Sequence, residues 1–257
     1  MKWKSHLEIA NAVAERLDLP KEMKEVLRQG SIQPDREGDK VITRDCGMLL
    51  RRRRVRHHRA TKRFIKGLLW KARTAYLEGR ELDAMWCLGR ALHYVQDRSV
   101  AIGPFSWFHD AREAEIGSRR VPPDAVRIGE EAAVPSPLFI DLCLRSLSPK
   151  KGPSSAMNQA SMMSTALAFA VLLDPYPSRE LAVQIKMSER RHRMVFIPLA
   201  VGAAATLSSI GIWLGQPVVV ASSIPTAIVI LSLDSKRRML KREKEWFAPR
   251  RAPSGSI

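Results

Sequence analysis

The stretch AMWCLGRALHYVQD, residues 84–97, sets an imidazole and a carboxylate four residues apart in an otherwise apolar segment. Its apolar residues recur at helical spacing, which predicts a helix over residues 82–97. Residues four apart share one face of a helix, so His93 and Asp97 would point to the same side. A histidine and a carboxylate buried there need partners that offset their desolvation. A zinc ion would be one such partner, and a hydrogen-bonded His–Asp pair inside a helical bundle is the alternative.

Helical spacing extends through most of the sequence before residue 180. The pattern predicts helices over residues 7–17, 60–77, 82–97 and 104–116, within 124–147, and over 156–173. Pro20 and Gly79 are the predicted ends of the first two. No alternating strand pattern persists and no internal repeat is found, so the predicted class is all-α, with residues 1–180 as one helical domain. We interpret 156–173 as a core helix, with a membrane-associated element as the alternative.

Two long uncharged segments follow this domain. Residues 194–214 carry no charge over 21 positions, and residues 217–233 carry none over 17. At about 1.5 Å per residue, each can cross a hydrocarbon core of roughly 30 Å, the second only just. Because basic clusters lie on both outer flanks, we predict a transmembrane helical hairpin, 194–233, with both chain ends cytoplasmic. Two buried core helices of a soluble domain are the alternative.

Basic residues dominate the charge of the chain. There are 43 Lys and Arg against 26 Asp and Glu, a formal net charge of +17, which indicates an anionic partner. Eleven of the basic residues lie within 51–73, where no acid occurs. Near an anionic bilayer each contributes on the order of 1 kcal/mol, so a membrane surface is the favoured partner. Nucleic acid is the second candidate partner, since only Phe64 and Trp70 offer stacking surfaces there. The alternative to both is a solvated surface that binds no partner.

The remaining sequence features favour a membrane protein whose helical domain stays inside the cell. Cys46, Cys87 and Cys143 are widely spaced and form no disulfide framework or CxxC motif, which favours a reducing compartment. The first 17 residues contain no continuous apolar region of the secretory type. Residues 181–193 would form a basic linker, and residues 234–257 a basic cytoplasmic tail.

Two of the six histidines have an acid four positions later. They are His93, followed by Asp97, and His109, followed by Glu113. With 26 acids in 257 residues, such pairs also arise by chance. The spacing alone is therefore a weak indication of a metal site.

Several short motifs, in one order, resemble the zinc-dependent phospholipases C, which are related in fold to the fungal and plant single-strand nucleases. The likeness covers roughly residues 3–116. Its parts are W-x-x-H-x-x-I at Trp3, His6 and Ile9; GSIQPD ending at Asp35; a histidine at His57 or His58; L-G-x-x-x-H-Y-x-x-D ending at Asp97; and FHDARE with His109 and Glu113.

The resemblance implies a cluster of one to three zinc ions on an all-helical scaffold, acting as a phosphodiester hydrolase on phospholipid headgroups. The implied ligands are Asp35, His57 or His58, His93 and Asp97 for the first ion; His109 and Glu113 for the second; and His6, the Trp3 main chain and a bridging Asp97 for the third. His58 is slightly preferred to His57. Asp35 would also be the candidate general base, since a carboxylate beside the nucleophilic water can orient it or accept its proton.

Two positions depart from the family pattern. Gly103 stands where the family has a further histidine, so the second ion would lose one ligand. Met1 and Lys2 precede Trp3. In the secreted members of the family the corresponding tryptophan is the first residue, and its free amino group binds zinc. The ion count therefore stays open between one and three. A nuclease on the same scaffold and a metal-stabilised membrane module without activity are the alternative functions.

Overall fold

The computed structural model of the chain describes residues 1–45, 49–55, 60–101, 106–173 and 179–247. Within these ranges the side chains of residues 41–45, 49–53, 106–111 and 179 are not described. The described residues of Met1–Asp174 form one compact unit, and those of Pro175–Ala248 form a second. The division between the units falls close to the predicted end of the helical domain at residue 180.

The described residues of the first unit are helical apart from one two-stranded hairpin. The predicted all-α class is therefore confirmed for the helices, whereas the hairpin was not expected. Its elements are α1 (Trp3–Arg16), α2 (Lys21–Arg36), β1 (Lys40–Asp45), β2 (Leu49–Arg54), α3 (Lys62–Leu77), α4 (Glu81–Arg98), α5 (Ser106–Gly117), α6 (Pro123–Ala132), α7 (Pro137–Ser146) and α8 (Pro153–Leu172). The side chains of Thr61 and Ser136 accept hydrogen bonds from the backbone N–H groups that open α3 and α7. Gly79, at a φ of +72°, follows α3 in a conformation that favours glycine.

Helix α4 is the central element of this unit. It packs against α1, α2, α3 and α8, and every residue from Ala91 to Asp97 is buried. Helix α8 is buried along most of its length, so the segment 156–173 is a core helix, as we had interpreted it. The polar end of α4 therefore lies inside the bundle.

Helix α2 and both strands of the first unit were not predicted from the sequence. Helix α2 contains Gly30 and Pro34, and its apolar residues are sparse, so the pattern is weak there. Strand β2 is only six residues long and carries four consecutive arginines, so no apolar alternation marks it. The two strands pair antiparallel from Lys40 opposite Arg54 to Asp45 opposite Leu49.

Arg73 belongs to the basic segment 51–73, which we call the basic tract, but its side chain is buried. Its guanidinium donates hydrogen bonds to the carbonyl oxygens of Val171, at 2.8 Å, and Leu173, at 2.7 Å. These carbonyls lie at the C-terminal end of α8, where helices leave acceptors without intrahelical partners. One arginine of the tract thus joins α3 to the end of α8.

Arg73→Met should therefore destabilise the first unit. The methionine keeps an apolar stem but leaves both carbonyl oxygens without this donor, so the free energy of unfolding should fall by about 2–4 kcal/mol. Urea unfolding of the full chain in detergent would measure it. The matched control is Arg63→Met, an exposed position on the same helix, which should change stability by less than about 0.5 kcal/mol. Equal unfolding midpoints for the two variants would contradict the assigned role.

The second unit is built from α9 (Arg179–Arg191), a π-helical turn (His192–Phe196), α10 (Ile197–Trp213), α11 (Pro217–Ser232) and α12 (Ser235–Phe247). Glu180–Trp213 is one helix of 34 residues, long and apolar enough to cross a membrane. Helices α11 and α12 pass the same test only as a pair, bent by 61°. The described residues thus contain one clear candidate span and at most two. The predicted basic linker is part of the long helix, and the predicted tail contains α12.

Helices α10 and α11 pack against each other. Gly215, at a φ of +61°, lies in the turn between them, and a Cβ at Gly211 would meet the backbone nitrogen of Val220 at 2.8 Å. At the other end Asp234 is buried, and it accepts hydrogen bonds from Arg191, at 2.6 Å, and from Nδ1 of His192, at 3.1 Å. A polar cluster therefore joins the two ends of the helical pair.

Candidate metal centre

Close packing of α2 on α4 places the first polar groups of the site. A Cβ at Gly89 would overlap the Leu27 carbonyl oxygen and come within 2.8 Å of the Ser31 nitrogen, and one at Gly30 would lie 2.7 Å from the Trp86 carbonyl oxygen. Because both contacts are to backbone atoms, neither position has room for a side chain. The two glycines thus let α2 approach α4 closely, which brings Ser31 and Asp35 to His93.

His93 is held by that approach. Its Nδ1 lies 2.9 Å from the Ser31 carbonyl oxygen, and a carbonyl only accepts, so Nδ1 carries the proton of this bond. Its Nε2 lies 3.2 Å from Oδ2 of Asp97 and 3.6 Å from Oδ1 of Asp35. The prediction that His93 and Asp97 share one helix face is confirmed, and α2 adds Asp35 to the pair.

His6, on α1, faces the same carboxylate from the other side. Its Nδ1 donates to Oε1 of Gln96 at 2.6 Å, and the Gln96 amide donates in turn to the Ser164 hydroxyl at 3.2 Å. Its Nε2 lies 3.3 Å from Oδ1 of Asp97. The rings of His6 and His93 stack with their centroids 4.2 Å apart. Each oxygen of Asp97 is therefore next to the Nε2 atom of a different histidine.

The amino group of Met1 lies at the same place. It is 2.5 Å from Oδ1 of Asp97 and 2.7 Å from Oε1 of Glu113, and the Met1 carbonyl oxygen is 3.1 Å from Nε2 of His6. Burial alone would lower the pKa of this amino group, but the two carboxylates outweigh it and raise the pKa. Main-chain groups of Met1 thus join the side chains of α1, α4 and α5.

Electrostatics tie these groups together. Burial would raise the pKa of the Asp97 carboxyl, but the Met1 ammonium and the two histidines hold that pKa well below its usual range. Burial would lower the pKa of His93, but Asp97 and Asp35 raise it. Burial and the adjacent His93 lower the pKa of His6. Asp97 is therefore the fixed negative charge of the site, and of the stacked rings His93 holds a proton more strongly than His6.

The donor set fits a divalent metal. His6, Asp35 and His93 each direct one ligand atom into a region where these atoms lie within 4.8 Å of one another, so this cluster could hold a metal ion. Donors of a tetrahedral ion bound at about 2.0–2.1 Å are separated by about 3.3 Å. The distances from the histidine Nε2 atoms to the carboxylate and carbonyl oxygens, 3.1–3.6 Å, are of this size. Both Nδ1 atoms donate elsewhere, so each Nε2 atom is left to face these oxygens. When protonated it donates to them, and when neutral it can bind a metal ion that lies between the ring and the oxygens.

Five side chains predicted from the sequence lie together: His6, Asp35, His93, Asp97 and Glu113. The expected main-chain contribution of Trp3 stays a prediction. The main-chain groups that the structure places at the site are those of Met1, whose carbonyl oxygen lies 3.1 Å from Nε2 of His6 and whose amino group lies 2.5 Å from Oδ1 of Asp97. Trp3 is 47% exposed, and its ring stacks with the Arg36 guanidinium. His57, His58 and Gly103 lie outside the described residues, as does the side chain of His109.

Sequence reasoning missed three supporting groups. The Met1 main chain was overlooked because its position depends on where α1 begins. Gln96 carried a signal, since it precedes Asp97 in a helix whose other nearby residues are apolar. The Ser31 carbonyl gives no sequence signal, because a main-chain acceptor is present at every residue.

Comparisons with known proteins give no assignment: no family model matches the chain, and no curated protein and no solved structure matches it either.

Proposed function

We propose that the chain is a membrane-tethered, zinc-dependent hydrolase of phosphodiester bonds, of the phospholipase C type. The arrangement of Asp97 carries this proposal. Its Oδ1 atom faces Nε2 of His6, which also lies 3.1 Å from the Met1 carbonyl oxygen, and its Oδ2 atom faces His93, with Asp35 beyond. A buried carboxylate that faces two separate donor sets is suited to bridge two metal ions, as the resemblance implies for the first and third zinc.

The residues divide into three groups under this proposal. Asp35, His93 and Asp97, with His57 or His58, would hold the first ion; Glu113 and His109 the second; and His6, the Met1 carbonyl oxygen and Asp97 the third. When bound, such ions lower the pKa of a coordinated water toward neutrality and neutralise phosphoryl oxygens as charge builds on them. The hydrogen bonds from Nδ1 of His6 to Gln96 and from Nδ1 of His93 to the Ser31 carbonyl would fix the orientation of these two rings as ligands.

Asp35 is the proposed general base. Its side chain is 22% exposed, while the side chains of His93 and Asp97 are 0% and 2% exposed. Asp35 therefore lies where the site opens to solvent and substrate. A carboxylate at that position can orient an attacking water and accept its proton.

The proposed tether is a two-span hairpin of α10 and α11 with both ends in the cytoplasm. It rests on the close antiparallel packing of the two helices and on the basic residues that flank both ends, since positive charge stays on the cytoplasmic side. Such an anchor would keep the first unit near a phospholipid surface. That proximity favours a lipid substrate over nucleic acid.

Zinc content and headgroup release test the proposal. The full chain, purified in detergent, should contain one to three zinc ions and release phosphorylated headgroups from phosphatidylcholine or phosphatidylglycerol vesicles. His93→Ala should lower turnover about 10²–10³-fold, because the metal supplies several kcal/mol of charge stabilisation. His192→Ala, a buried histidine of the second unit, is the matched control and should retain both zinc and activity. A folded protein that fails to bind added zinc would refute the proposal, and exclusive cleavage of single-stranded DNA or RNA would favour a nuclease.

A further inference from the structure

The structure has a polar cavity at the end of α2, the helix that carries Asp35. It is an open groove of about 610 Å³, whose lining includes Arg36, Lys40, Arg54, Trp86 and Arg90. We call it the basic groove. Its volume falls within the range of small-molecule sites, about 300–1,000 Å³. Two acids, Glu37 and Asp39, also line it, so the first question is whether they neutralise it.

Both acids are engaged within the protein. Asp39 forms an ion pair with Arg90 and accepts a hydrogen bond from the Tyr94 hydroxyl at 2.8 Å. Glu37 accepts a hydrogen bond from the Gln33 amide at 3.1 Å. The four cations and two acids leave a net charge of +2 on the groove lining. Asp39 is thus committed to Arg90 and Tyr94, and the excess charge comes from the other cations.

The remaining cations are exposed, and the structure gives them no ion pair with any described residue. Arg36 stacks over the Trp3 ring, 5.1 Å from its centroid. Lys40 and Arg54 are directly opposite each other across the β1–β2 pair, an arrangement in which like charges repel. Arg54 also lies against Gly38, where a Cβ would overlap the guanidinium. An anion in the groove would relieve this repulsion.

The position of the groove connects it to the metal centre. Arg36 directly follows Asp35 in the sequence, and Arg90 precedes His93 by three residues on α4, about 4.5 Å along the helix axis. Because Arg36 and Asp35 are neighbours at the end of α2, a phosphate held by Arg36 would lie near the proposed metal centre. Trp86 adds an aromatic wall that the non-phosphate part of a headgroup could contact.

We infer that the basic groove binds the phosphate of an anionic phospholipid headgroup through Arg36, Lys40 and Arg54, without need of a metal ion. Its use as a subsite for a lipid substrate rests on the proposed function, whereas phosphate binding itself does not. A lipid is favoured over nucleic acid because the same chain carries a helix able to enter a membrane. It is also favoured because the lining includes one tryptophan rather than a row of aromatic platforms.

The test is made without metal, so that a failure of the zinc proposal cannot affect it. Inorganic phosphate is titrated calorimetrically into the full chain in neutral detergent with excess EDTA. The double variant Arg36→Ala/Arg54→Ala should bind phosphate at least about tenfold more weakly than the wild type. The matched control is Lys21→Ala/Lys62→Ala, which removes two exposed charges at the starts of α2 and α3 and should bind as the wild type does. Equal affinities for both double variants, or no binding by the wild type, would overturn the assignment.

A second arm identifies the source of the phosphate. The full chain is placed in metal-free nanodiscs of phosphatidylcholine, with and without phosphatidylglycerol, and Trp86 fluorescence is isolated by difference from Trp86→Phe. The Trp86 signal should change only with phosphatidylglycerol, and not in Arg36→Ala/Arg54→Ala. A response to free phosphate alone would overturn the lipid assignment in favour of a soluble phosphate ester. Tighter binding of single-stranded oligonucleotides than of phosphatidylglycerol would overturn it in favour of nucleic acid.

Discussion

Replacing Asp97 with Asn is expected to remove zinc and to lower phosphodiester turnover by roughly a thousandfold or more. The effect should exceed that of any other single ligand, because both oxygens of this carboxylate face donor groups. Oδ1 lies 3.3 Å from Nε2 of His6, and Oδ2 lies 3.2 Å from Nε2 of His93. An amide offers one neutral oxygen acceptor and an NH2 group that only donates, so it cannot bridge two cations. Zinc analysis of the purified variant and headgroup release would measure the loss.

The same substitution should also destabilise the protein when zinc has been removed by EDTA. The Met1 ammonium lies 2.5 Å from Oδ1 of Asp97 and would keep only Glu113 as a carboxylate partner. Breaking a buried ion pair by removing one partner costs about 3–5 kcal/mol, because a buried charge is left uncompensated. Urea unfolding in EDTA should therefore show a loss of about that size, independently of any catalysis.

Asp83→Asn is the matched control for Asp97→Asn. Asp83 lies on the same helix, but its side chain is 64% exposed, so neither zinc content nor turnover should change, and stability should shift by less than about 1 kcal/mol. If Asp97→Asn retains full zinc occupancy and activity, Asp97 does not bridge metal ions. If it loses activity but keeps its stability in EDTA, the ion pair with Met1 contributes little.

The helical pattern predicted much of the first unit, and its failures have physical causes. Period-3.6 spacing placed His93 and Asp97 on one face of α4, and the structure brings the two side chains within 3.2 Å. The same spacing could not place Asp35 beside them, because α2 was not predicted. A Gly and a Pro inside a helix read as breaks, although Pro34 lies in the last turn of α2 and Gly30 lies at its contact with α4.

Prediction of the site was limited by groups that act through the main chain. The carbonyl of Ser31 and the amino group of Met1 have no side-chain signature, yet they contact His93 and Asp97 directly. The buried role of Arg73 was equally hidden, since a basic tract gives no sign of which arginine turns inward. Composition identified the charge of the tract, whereas packing decides which of its residues meets a helix end, a groove or solvent.

Gly89→Ala is the second change from which we expect a large effect, and it acts without touching a ligand. The new methyl group would overlap the Leu27 carbonyl oxygen and lie 2.8 Å from the Ser31 nitrogen. Because both are backbone atoms, α2 must move away from α4. Overpacking of this kind costs about 1–3 kcal/mol. We therefore expect a loss of about 3 kcal/mol in the free energy of unfolding, measured with urea.

The same displacement should weaken the metal centre. Movement of α2 lengthens the 2.9 Å bond from His93 to the Ser31 carbonyl and carries Asp35 away from His93. Loss of such an orienting bond typically costs about 10–100-fold in metal affinity, which competition with a zinc chelator would measure.

Gly67→Ala is the control, and its expected effect on stability has the opposite sign. Gly67 is exposed within α3, with no atom within 4 Å of an added Cβ. Alanine there should stabilise the protein by about 0.5–1 kcal/mol through helix propensity alone. If the two variants have equal stability and equal zinc affinity, close packing of α2 on α4 is not what holds His93 and Asp35 together.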